Sequence, residues 1–165
     1  MSEHLLVFHV VISLIGIVSG LVVVYGLVTG KPHGGWTVFF LTTTVLTSVT
    51  GFPLPATQLL PSHVVGIISL LLLAAAIVAL YVYHLGGPWR WIYVASAVIA
   101  LYLNVFVGVV QSFQKLAFLK PLAPTQSEPI FVVAQIAVLV LFIALGILAT
   151  IRFHPEARIR PAGAN

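Results

Sequence analysis

The sequence predicts an all-α integral membrane protein, a bundle of five transmembrane helices, and three observations predict it. Of the 165 residues, 61% are hydrophobic and only 6% are charged, against about 25% charge in a soluble domain. Seven Lys or Arg and three Asp or Glu are too few to coat a water-soluble globule or to hold a chain disordered. Long charge-free apolar runs divide the chain, and a helix needs about 20 such residues to cross the hydrocarbon core. There is no cysteine, which excludes a secreted disulfide scaffold, thiol catalysis and thiolate metal ligation.

The first span, residues 5–29, holds no Asp, Glu, Lys or Arg. Between Lys31 and Arg90 lie 58 residues without a formal charge, room for two spans and a turn. Pro53, Pro55 and Pro61 mark the break, because proline lacks the amide proton and clashes with the preceding helical turn. The second span therefore runs over 36–52 and the third over 62–85. The fourth covers 89–113 and the fifth 129–151, followed by a basic tail over 152–165. The second is short, about 25 Å at 1.5 Å per residue, so the segment 53–61 (PLPATQLLP) is a candidate re-entrant piece dipping into the interface.

Five spans put the termini on opposite sides. Lys31, Arg90, Arg152, Arg158 and Arg160 lie on one side, and Lys115 and Lys120, with Glu3 and Glu128, on the other. The positive-inside bias predicts a periplasmic N-terminus and a cytoplasmic C-terminus in a cell inner membrane. The tail RFHPEARIRPAGAN is expected to rest against anionic headgroups. This bias accounts for the pI near 9.8; no basic stripe for nucleic acid exists outside the membrane flanks. Glu3 stands where a signal peptide would carry positive charge and no A-x-A site follows, so the first span is read as retained.

An internal echo runs through the chain. His9-Val10-Val11-Ile12-Ser13-Leu14 opens the first span and His63-Val64-Val65-Gly66-Ile67-Ile68-Ser69-Leu70 the third. Each continues to a tyrosine, Tyr25 or Tyr81, and then to a glycine pair and tryptophan, Gly34-Gly35-Trp36 or Gly86-Gly87-Pro88-Trp89. The pattern suggests two parallel-repeat helical hairpins plus a fifth helix, related by an axis along the membrane normal. His9 and His63 would then stand at matching depths, about one turn inside the outer face. Chance similarity among common membrane residues is the alternative.

Polar side chains within a bilayer are costly and mark sites. Asn104, Gly108, Gln111 and Lys115 recur at three-to-four-residue spacing and share one face of the fourth span. Thr43, Thr47 and Thr50 share a face of the second, and Gln135 lies one and a half turns into the fifth. With His9 and His63 they place a polar group in the outer half of every helix, with no intramembrane Asp or Glu. The inference is an uncharged polar cavity open to the outside, with Thr47, Thr50, Asn104 and Lys115 as ligand-binding candidates. The bland alternative is helix packing, favoured here for the threonines, which return hydrogen bonds to the preceding turn. Gly16-x-x-x-Gly20, with Ser13 one turn earlier, is a close-packing signature.

Of the six histidines, His33, His84 and His154 belong to the inner interface with Trp36, Trp89 and Trp91, and His4 to solvent. His9 and His63 can hold a b-type haem or a metal ion between neighbouring helices, with Gln111 or Gln135 orienting a ring, against a purely structural role. His63 and His84, about 31 Å apart along one helix, do not suggest a two-haem wire. No zinc-protease, nucleophile-elbow or phosphate-loop motif is present. Three readings follow: a non-catalytic binding protein or subunit whose cavity takes a quinone, a lipid or another uncharged ligand; a redox protein with one haem or metal at His9 and His63; or an oligomeric transporter or channel. Partners expected are the lipid bilayer, further copies of the chain or other membrane subunits.

Overall fold

A computed structural model describes residues 3–52 and 61–155, and the chain is helical throughout its long elements. They are α1 (Glu3–Val28), α2 (Gly34–Gly51), α3 (Pro61–Ile77), α4 (Trp89–Lys115) and α5 (Pro129–Arg152). The spans expected from apolar run lengths coincide with these helices to within three residues, except at the end of α3. Four of the five are long and apolar enough to cross a membrane, and α2 is the fifth. The candidate re-entrant segment falls on residues 53–60, outside the described residues apart from Pro61, and most of the basic tail lies beyond them too.

The helix α2 shows why its run is less apolar. Thr37, Thr43, Thr44, Thr47 and Ser48 are buried against the bundle, while Val38, Phe39, Leu46 and Val49 face outward. Polar-in and apolar-out is the arrangement hydrocarbon demands. Several hydroxyls return to the helix's own carbonyls, Thr43 to Phe39 at 2.8 Å and Ser48 to Thr44 at 2.9 Å, so part of the inward polarity is satisfied within the helix.

Helix α3 does not continue regularly to residue 85. A π-helical turn over Val78–Val82 follows Ile77, and the Leu85 amide closes back on the Ala79 carbonyl at 2.9 Å. His84 and Leu85 both take positive φ, 47° and 61°, a conformation L residues rarely adopt. Tyr83 and Trp89 stack across this turn with centroids 3.8 Å apart.

The neighbours form a ring. α1 packs on α2, α2 on α3, α3 on α4, and α4 returns to α1. That is the neighbour pattern two hairpins related by an axis along the bundle would give. α5 lies outside the ring against α4 and α1. Its C-terminus is fastened by Arg90, whose guanidinium donates to the Thr150 carbonyl at 3.1 Å and to the Phe153 carbonyl, with Trp91 4.4 Å beneath it. A cation at a helix C-terminus satisfies orphan carbonyls and opposes the helix dipole.

The end of the ring carrying the α1–α2 turn is solid. Val23, Val24 and Leu27 of α1 meet Phe40 and Leu41 of α2, Leu73 and Ala76 of α3, and Val94, Ala97 and Leu101 of α4. The glycine pair of α1 serves this packing: a β-carbon at Gly20 would stand 2.5 Å from Leu101 and 2.8 Å from Phe40, and one at Gly16 would stand 3.2 Å from the Asn104 amide nitrogen. Both glycines therefore face the interior of a single chain. Large apolar side chains cover the outside, including Val18 and Tyr25 on α1 and Val133, Val140 and Ile147 on α5, a surface suited to lipid.

Candidate functional site

The other half of the ring opens. Between α1, α2, α3 and α4, at the end holding the α1 N-terminus, lies a cavity of about 510 Å³. Its wall includes His9 and Ser13 of α1, Thr47, Ser48, Gly51 and Phe52 of α2, His63, Gly66 and Ser69 of α3, and Asn104, Gly108, Gln111, Ser112 and Lys115 of α4. Apolar residues, Leu6, Leu14, Ile17, Leu103 and Val107 among them, complete it. Lys115 is the one formal charge among these lining residues.

Helix geometry explains the convergence. From Asn104 to Lys115 the four spaced residues climb about 16 Å along one face of α4, making a polar stripe from floor to mouth. The floor is set by Ile17, Thr47, Ser69, Leu103 and Asn104, beneath which Phe40, Leu73 and Leu101 are fully buried. The polar residues buried beyond that layer, Ser19, Thr37 and Ser96 among them, are short hydroxyls set among apolar side chains.

His9 is held in a defined way. Its Nδ1 lies 2.9 Å from the Thr50 hydroxyl, and that hydroxyl donates its own hydrogen to the Leu46 carbonyl at 2.7 Å. With that hydrogen on the backbone, Thr50 accepts from the ring, an arrangement that favours the neutral tautomer protonated on Nδ1 with the lone pair on Nε2. Gly51 lies alongside the ring, where a β-carbon would meet His9 Cε1 at 3.4 Å, an ordinary contact. His63 stands on the opposite hairpin with Phe52 against it, ring centroids 5.8 Å apart.

The structure thus gathers His9, His63, Thr47, Asn104, Gln111 and Lys115 on one cavity, and places Thr50 behind His9 instead of on the wall. Gln135 stands apart. It faces α4 from α5, where its amide donates to the Phe106 carbonyl at 3.3 Å and its Oε1 is buried without a partner. The threonines, read from sequence chiefly as packing but with Thr47 and Thr50 as ligand-binding candidates, divide: Thr43 bonds its own helix, Thr50 bonds its helix and meets His9, and Thr47 lines the cavity. Ser69, Gly51, Gly66 and Phe52 were not singled out from sequence. The serine-after-histidine echo on α1 and α3 was the available signal for Ser69.

Three buried polar atoms near the floor lack a hydrogen-bond partner: Thr44 Oγ1, Thr47 Oγ1 and Asn104 Nδ2. Native interiors leave few such atoms unpaired. No protein-family model, curated protein or solved structure matches this chain. What the site can do follows from its own donors and acceptors: an imidazole lone pair, amides and hydroxyls along one wall, apolar side chains opposite, and an ammonium group at the mouth.

Proposed function

We propose that the protein is a small multi-pass inner-membrane binding protein or subunit, non-catalytic, whose cavity takes an uncharged amphipathic ligand of the quinone or lipid kind. One observation carries this reading: four helices converge their sparse polar side chains on a cavity closed beneath by a packed core. Its volume falls within the about 300–1,000 Å³ of ordinary ligand sites, and mostly apolar walls with a few fixed polar groups are their usual lining. A cavity blind at its base suits holding a ligand better than conducting one, which counts against the transporter reading.

The test is the ligand itself. Protein purified in mild detergent is extracted and its lipids and quinones measured by mass spectrometry against protein. A single species near one per chain is expected, and it should be lost from Gly108→Leu, which fills the cavity from a wall position open enough to accept a side chain. A ligand retained unchanged by that variant would overturn the reading.

A second reading has its own support. Holding His9 by Nδ1 presents Nε2 to the cavity, the orientation device that ligating histidines use, and His63 faces the same space. Among the described residues no three His, Asp or Glu side chains cluster as a metal-ion cage, so a haem needing two axial imidazoles fits these residues better than a bare ion. An absorption spectrum before and after dithionite, with metal analysis, distinguishes this reading: a Soret band that sharpens on reduction and is lost from His9→Ala supports it.

A further inference from the structure

We infer that the groove between α4 and α5 is a lipid site, seating one acyl chain of an anionic phospholipid with its phosphate against Arg90 and Arg152. The groove shares no lining residue with the cavity, so this site is independent of the binding reading above.

The groove has a volume of about 470 Å³. It runs along α4 from Trp91 to Tyr102 and along α5 from Ile151 to Leu139, about 17 Å at helical rise. That is close to one leaflet, half of a hydrocarbon core about 30 Å thick. Ala95 and Gly146 hollow out its walls. A β-carbon at Gly146 would meet Val98 at 3.6 Å, an ordinary contact, so helix packing does not demand the glycine. Thr150 turns its hydroxyl back to the Gly146 carbonyl at 2.6 Å, which keeps that wall apolar. A seam for a neighbouring helix would continue across the bilayer, but this one stops. Tyr102 and Phe142 meet near its inner limit, ring centroids 5.8 Å apart. Beyond them the Gln135 bond to the Phe106 carbonyl and the edge contact of Phe113 with Phe131, centroids 5.4 Å apart, draw α5 onto α4. An apolar opening one leaflet long suits a fatty chain.

Its interfacial end is basic. Two contacts with the lining hold Arg90 there: the guanidinium donates to the Thr150 carbonyl at 3.1 Å and lies 4.4 Å from the centre of the Trp91 ring. Both of its carbonyl bonds, to Thr150 and Phe153, use Nη1, and a guanidinium carries five N–H groups in all. Arg152 follows the lining residue Ile151 and is exposed. The described acidic residues, Glu3 and Glu128, stand at the starts of α1 and α5, the opposite end of the bundle. Guanidinium forks match phosphate oxygens, and basic groups between membrane helices recognise anionic headgroups. Trp91, half exposed, marks the headgroup level. Chain and phosphate are thus called for side by side, as one phospholipid presents them.

The experiment uses the full-length protein in nanodiscs, one chain per disc, with Trp91 as its sole tryptophan through Trp36→Phe and Trp89→Phe. Phosphatidylglycerol and phosphatidylcholine, each brominated on the upper part of an acyl chain, are introduced in turn at the same minor fraction of a phosphatidylcholine disc. Brominated phosphatidylglycerol is expected to quench Trp91 more strongly. Arg152→Gln should lower that preference about fivefold, the scale of one basic residue at an anionic surface; Arg90 is left intact because it also fastens α5. Gly146→Leu fills the groove, keeps both arginines and should remove the preference. On the unmodified tryptophans, electron spin resonance of spin-labelled forms of the two lipids reads the same selectivity. Equal quenching by the two lipids overturns the site. A preference that survives Gly146→Leu also overturns it, as general gathering of anionic lipid round a basic end, and so does one that survives Arg152→Gln. Quenching by neither lipid overturns it in favour of a protein surface, such as a second copy, seated on the groove.

Discussion

The smallest decisive unit is the relay from His9 through Thr50 to the Leu46 carbonyl. Because the Thr50 hydroxyl has a single hydrogen and gives it to the backbone, it selects one imidazole tautomer without any charged partner. Thr50→Val removes the acceptor, and the ¹⁵N shifts of His9 should change from an Nδ1-protonated ring to a mixture of tautomers, with the helices intact. An unchanged pair of nitrogen shifts would show that the hydroxyl does not set the proton's position. This relay was only half visible in the sequence. His9 and Thr50 stand out because polar side chains are scarce in an apolar run, but nothing in their spacing, 41 residues apart, announces a contact. Gln135 shows the complementary failure: its depth was legible, its direction was not. A helix apolar on nearly every side gives no periodic signal to fix its rotation, and the Phe106 carbonyl on α4 captured the amide. Ser112 escaped notice for a further reason, since its hydroxyl bonds the Gly108 carbonyl one turn back at 2.7 Å and so costs little in hydrocarbon.

At the scale of elements, the glycines of α1 set how closely the ring closes. A methyl group at Gly20 would overlap Leu101 and Phe40, both fully buried. Gly20→Ala should therefore destabilise the fold by about 1–3 kcal/mol, read as a lower unfolding midpoint in detergent. Gly16→Ala meets its neighbours at 3.2 Å or more and should shift that midpoint much less. The start of α5 carries a pH-dependent element. Glu128 is exposed; partial desolvation acts upward on its carboxyl, but the Thr125 amide and hydroxyl and the Ser127 amide together outweigh it and hold the group below the usual carboxylate range. A lowered folded pKa means that this contribution is complete above the ordinary value of about 4.3 and is lost as pH falls through the folded one. The amide proton resonances of Thr125 and Ser127 should shift together on acidification below that ordinary value, and Glu128→Gln should abolish their pH dependence. If they titrate with an ordinary midpoint, the carboxylate is not held by these donors.

For the whole molecule, the bilayer explains what was legible. Hydrocarbon imposes length and apolarity on every span, so helix number and extent follow from run lengths, while the π-helical turn after Ile77 answers to local packing and leaves no compositional trace. The gathering of most of the larger uncharged polar side chains at the end holding the α1 N-terminus was legible for the same reason. With five helices the charge bias favours a cytoplasmic C-terminus, and Asn165→Cys should be inaccessible to an impermeant maleimide in intact cells and reactive after permeabilisation; labelling from the periplasm would reverse the orientation. Two-hairpin closure also has a consequence for the outermost helix. Among the described residues, α5 contributes nothing to the cavity wall, and Arg90 fastens it at the opposite end of the bundle. Among the described residues, the chamber wall is thus drawn from the first four helices and their adjoining residues. Substitutions on the outward face of that helix can therefore tune its fit to bilayer thickness without touching a residue that lines the chamber, so vessel and flank answer to separate physical demands.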